Sequence, residues 1–219
     1  MKKLSPSMLS ADIGILNKQL EQIEKGGAEY LHIDVMDGDF VPSISFGMPV
    51  IKSIRKESKM FFDVHLMVTE PIRYVEEFVK AGADIVTVHY EACEDLQATI
   101  DKIHAAGAKV GISIKPKTPV DVLLPYLDQA EMFLIMSVEP GFGGQAFIPE
   151  SLERISELRN LLNEKGLTTD IEVDGGIYHK NVAEVLAAGA NVMVSGSGVF
   201  KGDIKDNTAK FMEILNGNV

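Results

Sequence analysis

Two histidines and two aspartates occupy positions in the sequence where they could share a metal ion. His32 and Asp34 alternate with apolar residues in the segment HIDVMDG, His65 lies in a similar alternating segment, and Asp174 directly precedes two glycines. Neutral imidazole and carboxylate groups suit Zn, Mn, Fe(II) or Co(II), whereas a set made only of oxygen ligands would favour Mg or Ca. The alternative is that each group is an ordinary hydrogen-bonded polar residue.

The alternation predicts that these groups share one face on each of two β-strands. In a strand, successive side chains point to opposite sides. His32, Asp34 and Met36 therefore lie on the same side of one strand, and His65 and Met67 repeat the pattern on a second strand. A methionine accompanies the polar groups on both strands, either as a polarisable wall of a site or as core filler.

A recurring cluster of small residues indicates a repeated architecture. Gly27, Gly82, Gly107 and Gly189 each close a helical segment, and an apolar run follows each of them. Their separations of 55, 25 and 82 residues are close to multiples of about 27, which is also the length of the chain divided by eight. We therefore predict an α/β protein with a single (β/α)8 TIM barrel over residues 1–219. An open doubly wound sheet is the alternative.

The eight expected strands cover residues 4–8, 30–35, 61–67, 85–89, 110–114, 133–138, 171–174 and 192–195. Helical patterns lie between them, and Pro71 and Pro149 stand near helix starts, where a missing N–H costs little. This alternation favours a parallel sheet with helical crossovers. In such a barrel the chemistry lies at the C-terminal ends of the strands. The two imidazoles and two carboxylates would converge there from strands two, three and seven.

Composition limits the possible partners and the compartment. A formal net charge of −11 and a pI near 4.9 argue against a nucleic-acid partner, so an anionic substrate would need local backbone dipoles or a bound cation. Cys93 is the only cysteine, which excludes an intrachain disulfide and favours a reducing cytosol. No stretch approaches about 18 uninterrupted apolar residues. We expect a cytoplasmic protein that neither leaves the cell nor enters a membrane.

Three glycine-rich turns follow the last three expected strands. They read PGFGGQ after the sixth, DGGI after the seventh and SGSG after the eighth. Glycine is common in ordinary turns. Three adjacent glycine loops at this end of a barrel nevertheless favour a phosphate cradle, because they let backbone N–H groups approach an anion closely.

With these features in place, the sequence resembles the ribulose-phosphate 3-epimerase family over nearly the whole chain. The segments that carry the resemblance are, in order, SPSMLSAD, HIDVMDGDFVP, DVHLMV, AGAD, VEPGFGGQAF, EVDGGI and VSGSGVF. The resemblance implies a barrel of the ribulose-phosphate-binding type and an isomerase of the pentose phosphate pathway. Its small-molecule partner would be a sugar phosphate, D-ribulose 5-phosphate converted to D-xylulose 5-phosphate, and its cofactor one divalent ion of Zn, Fe(II), Mn or Co. A homo-oligomer is possible within such a family.

The family's functional residues, carried over position by position, fall on the groups singled out above. His32, Asp34, His65 and Asp174 match its metal ligands, and Asp34 and Asp174 also match its paired catalytic carboxylates. The implied substrate-binding residues are Ser7, His65, Gly141, Phe142, Gly143, Gly144, Asp174, Gly175, Gly176, Gly196 and Ser197, and the implied lining residues are Met36, Met67 and Met136.

This constellation suits epimerisation at C3 of a ketose phosphate. Inversion requires that a proton leave one face of the carbon and that another return on the opposite face, which two carboxylates can accomplish by exchanging roles. Strands two and seven lie on different sides of an eight-stranded barrel, so Asp34 and Asp174 can flank the substrate. A free Asp has a pKa of about 3.9 and is a weak base toward carbon. A metal-stabilised enediolate must therefore supply much of the catalysis.

Three other functions fit the sequence less well. D-allulose 6-phosphate 3-epimerase shares most of the motifs and is the principal alternative. Related phosphosugar lyases and decarboxylases carry an Asp-x-Lys-x-x-Asp pattern, whereas the matching strand HIDVMDG has no lysine. A non-catalytic sugar-phosphate sensor would need the glycine loops but not two acid/base carboxylates.

Four residues outside the predicted site also carry expectations. The segment IKPKTP has Lys115 where the family often has asparagine, and we expect its side chain to point to solvent. His89, at the end of the fourth strand, is expected to be structural. His104 and His179 are expected in exposed helical segments.

Overall fold

The computed structural model describes residues 1–217 and contains one eight-stranded parallel sheet. Its strands are β1 (Lys3–Pro6), β2 (Tyr30–Met36), β3 (Phe61–Met67), β4 (Ile85–His89), β5 (Lys109–Ile114), β6 (Met132–Met136), β7 (Asp170–Asp174) and β8 (Val192–Ser195). Each strand pairs with the next along the chain from β2 to β8, and β8 also pairs with β1. A parallel bridge between Ser7 and His32 joins β1 to β2. The predicted (β/α)8 barrel is therefore confirmed, and the doubly wound alternative is wrong.

Helices cover the outside of the barrel. They are α1 (Leu16–Lys25), α2 (Met48–Arg55), α3 (Val75–Ala81), α4 (Leu96–Ala106), α5 (Ser151–Glu164), α6 (Val182–Ala187), α7 (Ser197–Phe200) and α8 (Ile204–Leu215). Between β5 and β6 the crossover is instead a 3₁₀ helix, Val120–Tyr126, which contains Pro125. An internal proline removes a backbone donor and clashes with the preceding turn of an α-helix, which explains the irregular crossover.

Two predicted strand ends were wrong. The first strand ends at Pro6 rather than residue 8, because Ser7 caps a 3₁₀ helix, Met8–Ser10, and its Oγ accepts a hydrogen bond from the N–H of Leu9. The sixth strand ends at Met136 rather than residue 138. The other six strands agree with the predicted ranges to within one residue at either end.

The barrel places different chemistry on the two faces of each strand. Ile33 and Val64 are fully buried against the helical shell, as the alternation predicts. Burying one such side chain stabilises the fold by about 1.5–3 kcal/mol. Polar side chains fill part of the interior instead, among them His32, Asp63 and Glu172, each with 0% exposure. Within residues 1–217, no helix has the length and apolar character needed to cross a membrane.

Candidate active site

The register of β2 and β3 brings three of the predicted ligands together. Asp34 stands opposite His65 in the parallel pairing, and Met36 stands opposite Met67. Asp34 Oδ1 lies 3.2 Å from His32 Nε2 and 3.2 Å from His65 Nδ1. One carboxylate oxygen is therefore approached by two imidazole nitrogens from neighbouring strands.

Asp174 completes this cluster from another part of the barrel wall. It is the last residue of β7, and its Oδ2 lies 4.0 Å from His32 Nε2. One donor atom from each of His32, Asp34, His65 and Asp174 lies within 4.8 Å of the other three. The set of two imidazoles and two carboxylates suits a borderline divalent ion. The residues present therefore fit a divalent metal, and the convergence predicted from the sequence is found.

The cluster forms the floor of a cleft of about 550 Å³, a volume that includes the part open to solvent. The cleft is lined by Ser7, Leu9, Ser10, Asp34, Met36, Met67, Met136, Val138, Pro140, Gly141, Phe142, Gly143, Gly144, Gln145, Asp174, Gly175, Gly176, Ile177, Tyr178, Val194, Gly196 and Ser197. Every substrate-binding and lining residue named from the sequence is in this set except His65, which has 0% exposure and lies in the floor.

Two glycines on the wall of the cleft leave no room for a side chain. A Cβ at Gly176 would lie 2.3 Å from the backbone N of Phe147, and φ at this position is +67°. A Cβ at Gly196 would lie 2.4 Å from the Oγ of Ser10. Glycine at these positions lets the backbone approach both the neighbouring loop and a ligand closely. The glycine loops after β6, β7 and β8 therefore form one continuous wall.

Sequence reasoning missed two polar residues in this wall. Ser10 ends the 3₁₀ helix after β1, and Tyr178 follows the DGGI turn after β7. The hydroxyl of Tyr178 lies 2.7 Å from Ser197 Oγ, where either can donate. In the sequence, Tyr178 is marked only by its position after a glycine turn. Ser10 is marked only by its place in the loop after the first strand.

Two buried carboxyl groups, those of Asp63 and Glu172, lie close to Nδ1 of His32. Asp63 Oδ2 lies 2.6 Å from His32 Nδ1 and accepts a hydrogen bond from Ser5 Oγ at 3.0 Å. Glu172 Oε1 lies 3.5 Å from the same ring nitrogen. Burial and the negative charge of Asp63 raise the pKa of Glu172 well above its usual range. The alternation that placed His65 and Asp174 on the inner face also placed these two carboxyl groups there, so a sequence signal existed.

A second buried chain supports His65. His65 Nε2 lies 2.9 Å from His89 Nε2, and His89 Nδ1 lies 3.2 Å from Glu91 Oε2. Burial lowers the pKa of His65 and lowers that of His89 to about 4, so both rings are neutral near pH 7. Burial acts against ionisation of Glu91, but hydrogen bonds from His89 and Thr118 lower its pKa to about 2.

Three expectations about residues outside the site are decided by the structure. The half-buried Lys115 does not simply point to solvent, because its Nζ lies 3.8 Å from the ring centre of Phe40 at the edge of the mouth. His104 lies on α4 with an exposed side chain, as expected. His179 lies in a turn rather than a helix and is half buried, because it hydrogen-bonds the carbonyl of Asn207 and packs on Phe211.

The electrostatics of the floor separate the two aspartates. Burial would lower the pKa of His32, but the charges of Asp63 and Asp34 raise it well above its usual range. Burial would raise the pKa of Asp34, but the charge and the hydrogen bond of His32 hold it far below its usual range. Burial and the charge of Asp34 raise the pKa of Asp174 to about 7. Near neutral pH, one carboxyl is ionised and the other can carry a proton.

Solved structures with the same architecture are distant in sequence. The chain is similar to KGPDC from Streptococcus mutans with a TM-score of 0.74 and 13% identity, covering 99% of this chain and 98% of that one. It is similar to orotidine 5'-phosphate decarboxylase from Pyrococcus horikoshii with a TM-score of 0.72 and 12% identity, covering 98% and 99%. At such identities these likenesses show the fold alone.

Sequence relatives are much nearer. The chain is 48% identical over 216 residues to ribulose-phosphate 3-epimerase of Synechocystis, covering 98% of this chain and 91% of the relative. It is 46% identical over 201 residues to ribulose-phosphate 3-epimerase of Bacillus subtilis, covering 91% and 93%. The model of the ribulose-phosphate 3 epimerase family matches residues 3–200. The chain therefore belongs to the ribulose-phosphate 3-epimerase family, and it is an epimerase of the isomerase class.

Proposed function

We propose that the protein interconverts D-ribulose 5-phosphate and D-xylulose 5-phosphate with Asp34 and Asp174 as paired acid and base. One carboxylate removes the C3 proton from one face, and the other delivers its own proton to the opposite face. The observation that carries the proposal is the convergence of two carboxylates from β2 and β7, three strands apart around the barrel, on the floor of one cleft. Family membership supports the substrate, because its relatives bear that name. Two carboxylates on different walls can serve both faces of a carbon held between them.

Asp34 is well placed to be the ionised base in one direction. Its side chain is only 4% exposed, and Ser7 Oγ donates a hydrogen bond to its Oδ2 at 2.6 Å. The hydroxyl of Ser7 and the imidazole of His32 hold the carboxylate in one orientation, which limits the reorganisation needed when a C3 proton arrives. Ser7 is thus proposed to act on the base as well as on the substrate.

Asp174 is suited to the complementary role. Its side chain is 18% exposed, more than that of Asp34, and so reaches further into the cleft. With its pKa raised to about 7 by burial and by Asp34, it can hold a proton and deliver it to the opposite face of C3. In the reverse reaction the two residues exchange these roles.

A divalent ion bound by the four-residue cluster would supply Lewis-acid stabilisation of the negative charge that develops when the C3 proton leaves. Zn, Fe(II), Mn and Co suit the donor set. Met36, Met67 and Met136 line the adjacent wall, where they exclude water without offering competing hydrogen bonds.

The glycine loops are proposed to hold the substrate phosphate. Gly143, Gly144, Gly176 and Gly196 line the end of the cleft together with Ser197. Backbone N–H groups can bind a phosphate without a lysine or arginine, which meets the constraint set by a net charge of −11. The loop glycines fix the distance between the phosphate and the floor, and hence the position of C3.

The experiment that tests the function uses purified, metal-loaded protein with D-ribulose 5-phosphate and D-allulose 6-phosphate assayed side by side. We expect a higher kcat/KM for the pentulose phosphate. A higher value for the hexulose phosphate would replace the proposed substrate with the alternative. Removal of bound metal by a chelator, verified by elemental analysis, is expected to abolish turnover, and full activity in verified metal-free protein would overturn the metal-dependent scheme.

We further infer a cytoplasmic protein that acts on a small sugar phosphate and can assemble with copies of itself. The location is supported by the single cysteine of the chain. A relative from Oryza sativa, 45% identical, is named a cytoplasmic isoform. Light scattering of the purified protein measures the assembly state directly.

A further inference from the structure

We propose that His89 and Glu91 are positioning residues that fix the tautomer of His65 and so hold its Nδ1 ready to bind the metal. The inference rests on the proposed metal-dependent function and extends it to two residues outside the cleft. Neither residue lines the cleft, and neither belongs to the four-residue cluster. They act, in this account, only through the ring of His65.

Three side chains form a continuous buried chain that leads away from the floor. His65 and His89 are both fully buried, and their Nε2 atoms are 2.9 Å apart. The other nitrogen of His89, Nδ1, lies 3.2 Å from Glu91 Oε2. The other nitrogen of His65, Nδ1, lies 3.2 Å from Asp34 Oδ1 and faces the cluster.

The outer end of the chain is fixed by two donors. Glu91 Oε1 accepts a hydrogen bond from the backbone N–H of Lys115 at 2.7 Å and another from the hydroxyl of Thr118. Arg154 in turn donates to the carbonyls of Lys115 and Thr118, both at 2.9 Å. An ionised carboxylate accepts hydrogen bonds and donates none. Glu91 Oε2 is thus an acceptor that requires a proton on the nitrogen facing it.

That requirement determines every proton along the chain. A neutral imidazole carries one N–H, so a proton on Nδ1 of His89 leaves its Nε2 as an acceptor. The Nε2 of His65 must then be the donor across the 2.9 Å contact. It follows that Nδ1 of His65 carries a lone pair toward the cluster. The tautomer of a ligand imidazole is generally set by the hydrogen bond made by its other nitrogen.

The same assignment accounts for the crowding at Asp34. His65 Nδ1 and Asp34 Oδ1 would be two acceptors 3.2 Å apart, and His32 Nε2 approaches the same oxygen at 3.2 Å. Two acceptors this close, His65 Nδ1 and Asp34 Oδ1, suit a bound cation between them. A chain with the opposite polarity would instead place a proton on the nitrogen that faces the cluster and block that ligand.

Variants of His89 distinguish a positioning role from a merely structural one. His89→Phe keeps a planar ring but leaves the Nε2–H of His65 without an acceptor. His89→Gln supplies an amide oxygen as acceptor and an amide N–H for Glu91, so it keeps the polarity of the chain. Loss of such an outer partner typically weakens metal affinity by about 10- to 100-fold. We expect that loss for His89→Phe and substantial rescue for His89→Gln.

The measurement is the dissociation constant for Zn²⁺ alone, obtained by competition with a chromogenic chelator on metal-free, full-length protein. His104→Phe is the matched control, because His104 also faces a glutamate, Glu131, at 3.5 Å but lies on an exposed part of α4. We expect it to bind Zn²⁺ with wild-type affinity. Equal affinity in wild type, His89→Phe and His104→Phe would overturn the proposal.

A direct test on the unsubstituted protein does not depend on whether a variant folds. In ¹⁵N-histidine-labelled metal-free protein, NMR should find the proton on Nε2 of His65 and on Nδ1 of His89. The opposite pair of tautomers would refute the assignment. Absence of Zn²⁺ binding by the wild type would count against the proposed metal-dependent function instead, so the two failures are distinguishable.

Discussion

Buried or partly buried carboxylates lie toward both ends of the barrel, but within residues 1–217 only those at the amino end form ion pairs with lysine or arginine. There Lys3 binds Asp170 at 2.5 Å. Arg55 binds Asp84 at 3.0 Å and also donates to backbone carbonyls, including that of Met60 at 2.8 Å. Its guanidinium stacks on a phenylalanine ring as well. Lys3 and Arg55 therefore satisfy carboxylates and carbonyls near the amino ends of the strands.

The carboxyl end has the opposite composition. Asp34, Asp63, Glu172 and Asp174 are close together, and within residues 1–217 none of them forms an ion pair with a lysine or arginine. Their charge is balanced in part by His32, whose pKa is raised by Asp63 and Asp34. Clustered carboxylates cost stability through desolvation and mutual repulsion. Carboxylates paired with lysine or arginine thus lie at the end with a structural role, whereas an excess of carboxylates lies where we propose that a cation binds and a proton moves.

The largest effect is expected at the carboxyl end. Asp34→Asn and Asp174→Asn each remove one acid/base group and one metal ligand, so we expect kcat to fall by at least about 10³-fold. The barrel should remain folded by circular dichroism, because each change removes a charge from a crowded acidic cluster. Asp101→Asn on the exposed side of α4 is the control and should retain wild-type turnover. Near wild-type kcat in either active-site variant would contradict the two-carboxylate scheme.

The next largest effect is expected at the amino end, where a substitution should lower stability and leave substrate binding unchanged. Arg55→Ala removes several hydrogen bonds and the stacking contact with Phe62, so we expect the free energy of unfolding to fall by about 2–4 kcal/mol with KM unchanged. Chemical denaturation and steady-state kinetics measure the two quantities. Lys80→Ala, in an exposed ion pair with Glu77, should leave the free energy of unfolding at its wild-type value. A loss of turnover without a loss of stability in the arginine variant would remove the distinction between the ends.

A smaller effect is expected in the glycine wall. Gly176→Ala places a Cβ 2.3 Å from the backbone N of Phe147, so the DGGI loop, which we propose holds the substrate phosphate, must shift. Loss of one hydrogen bond to a charged group is worth about 1.5–3 kcal/mol, so we expect KM to rise by about 10- to 100-fold. Gly202→Ala is the control for backbone strain, because its φ is +95° but its Cβ meets nothing within 4 Å. Equal effects on KM in both variants would show that strain, not displacement of the cradle, is responsible.

The smallest effect is expected in the pH dependence of stability, through Glu91, which contacts His65 by way of His89. The pKa of Glu91 is lowered to about 2 in the folded protein, so the unfolded chain binds more protons between pH 4.5 and 2. The contribution of Glu91 to stability is present above pH 4.5 and is lost as pH falls toward 2. Its side chain is 20% exposed, and after solvent screening we expect on the order of 1 kcal/mol.

Urea unfolding of metal-free wild type and Glu91→Gln measures this contribution. The stability difference between them should be largest near neutral pH and should shrink as pH falls through the window from 4.5 toward 2. A difference that is constant with pH would mean that the ionised carboxylate does not stabilise the outer chain.

Repeat length and alternation in the sequence were sufficient to predict much of the fold and of the floor of the cleft. The period of about 27 residues predicts eight units. Alternation along two strands predicts which side chains face inward, and parallel pairing then places Asp34 beside His65. These features depend on local sequence and on the fixed geometry of strands, so they can be derived without coordinates.

Other features depend on contacts between distant segments and could not be derived in this way. His89 was expected to be structural, and its burial confirms this, but the identity of its partner, His65 at 2.9 Å, was not predicted. Lys115 was expected in solvent but lies over Phe40, which comes from the loop after β2. Long-range contacts of this kind have no periodic signature in the sequence.

The central claim, that Asp34 and Asp174 serve opposite faces of C3, is tested most directly by isotope wash-out. Each aspartate-to-asparagine variant, loaded with metal and checked for metal content, is incubated with C3-deuterated D-ribulose 5-phosphate or D-xylulose 5-phosphate. We expect reciprocal results. One variant should release deuterium to water only from D-ribulose 5-phosphate, and the other only from D-xylulose 5-phosphate. Release from both epimers by either variant would contradict the claim that Asp34 and Asp174 serve opposite faces of C3.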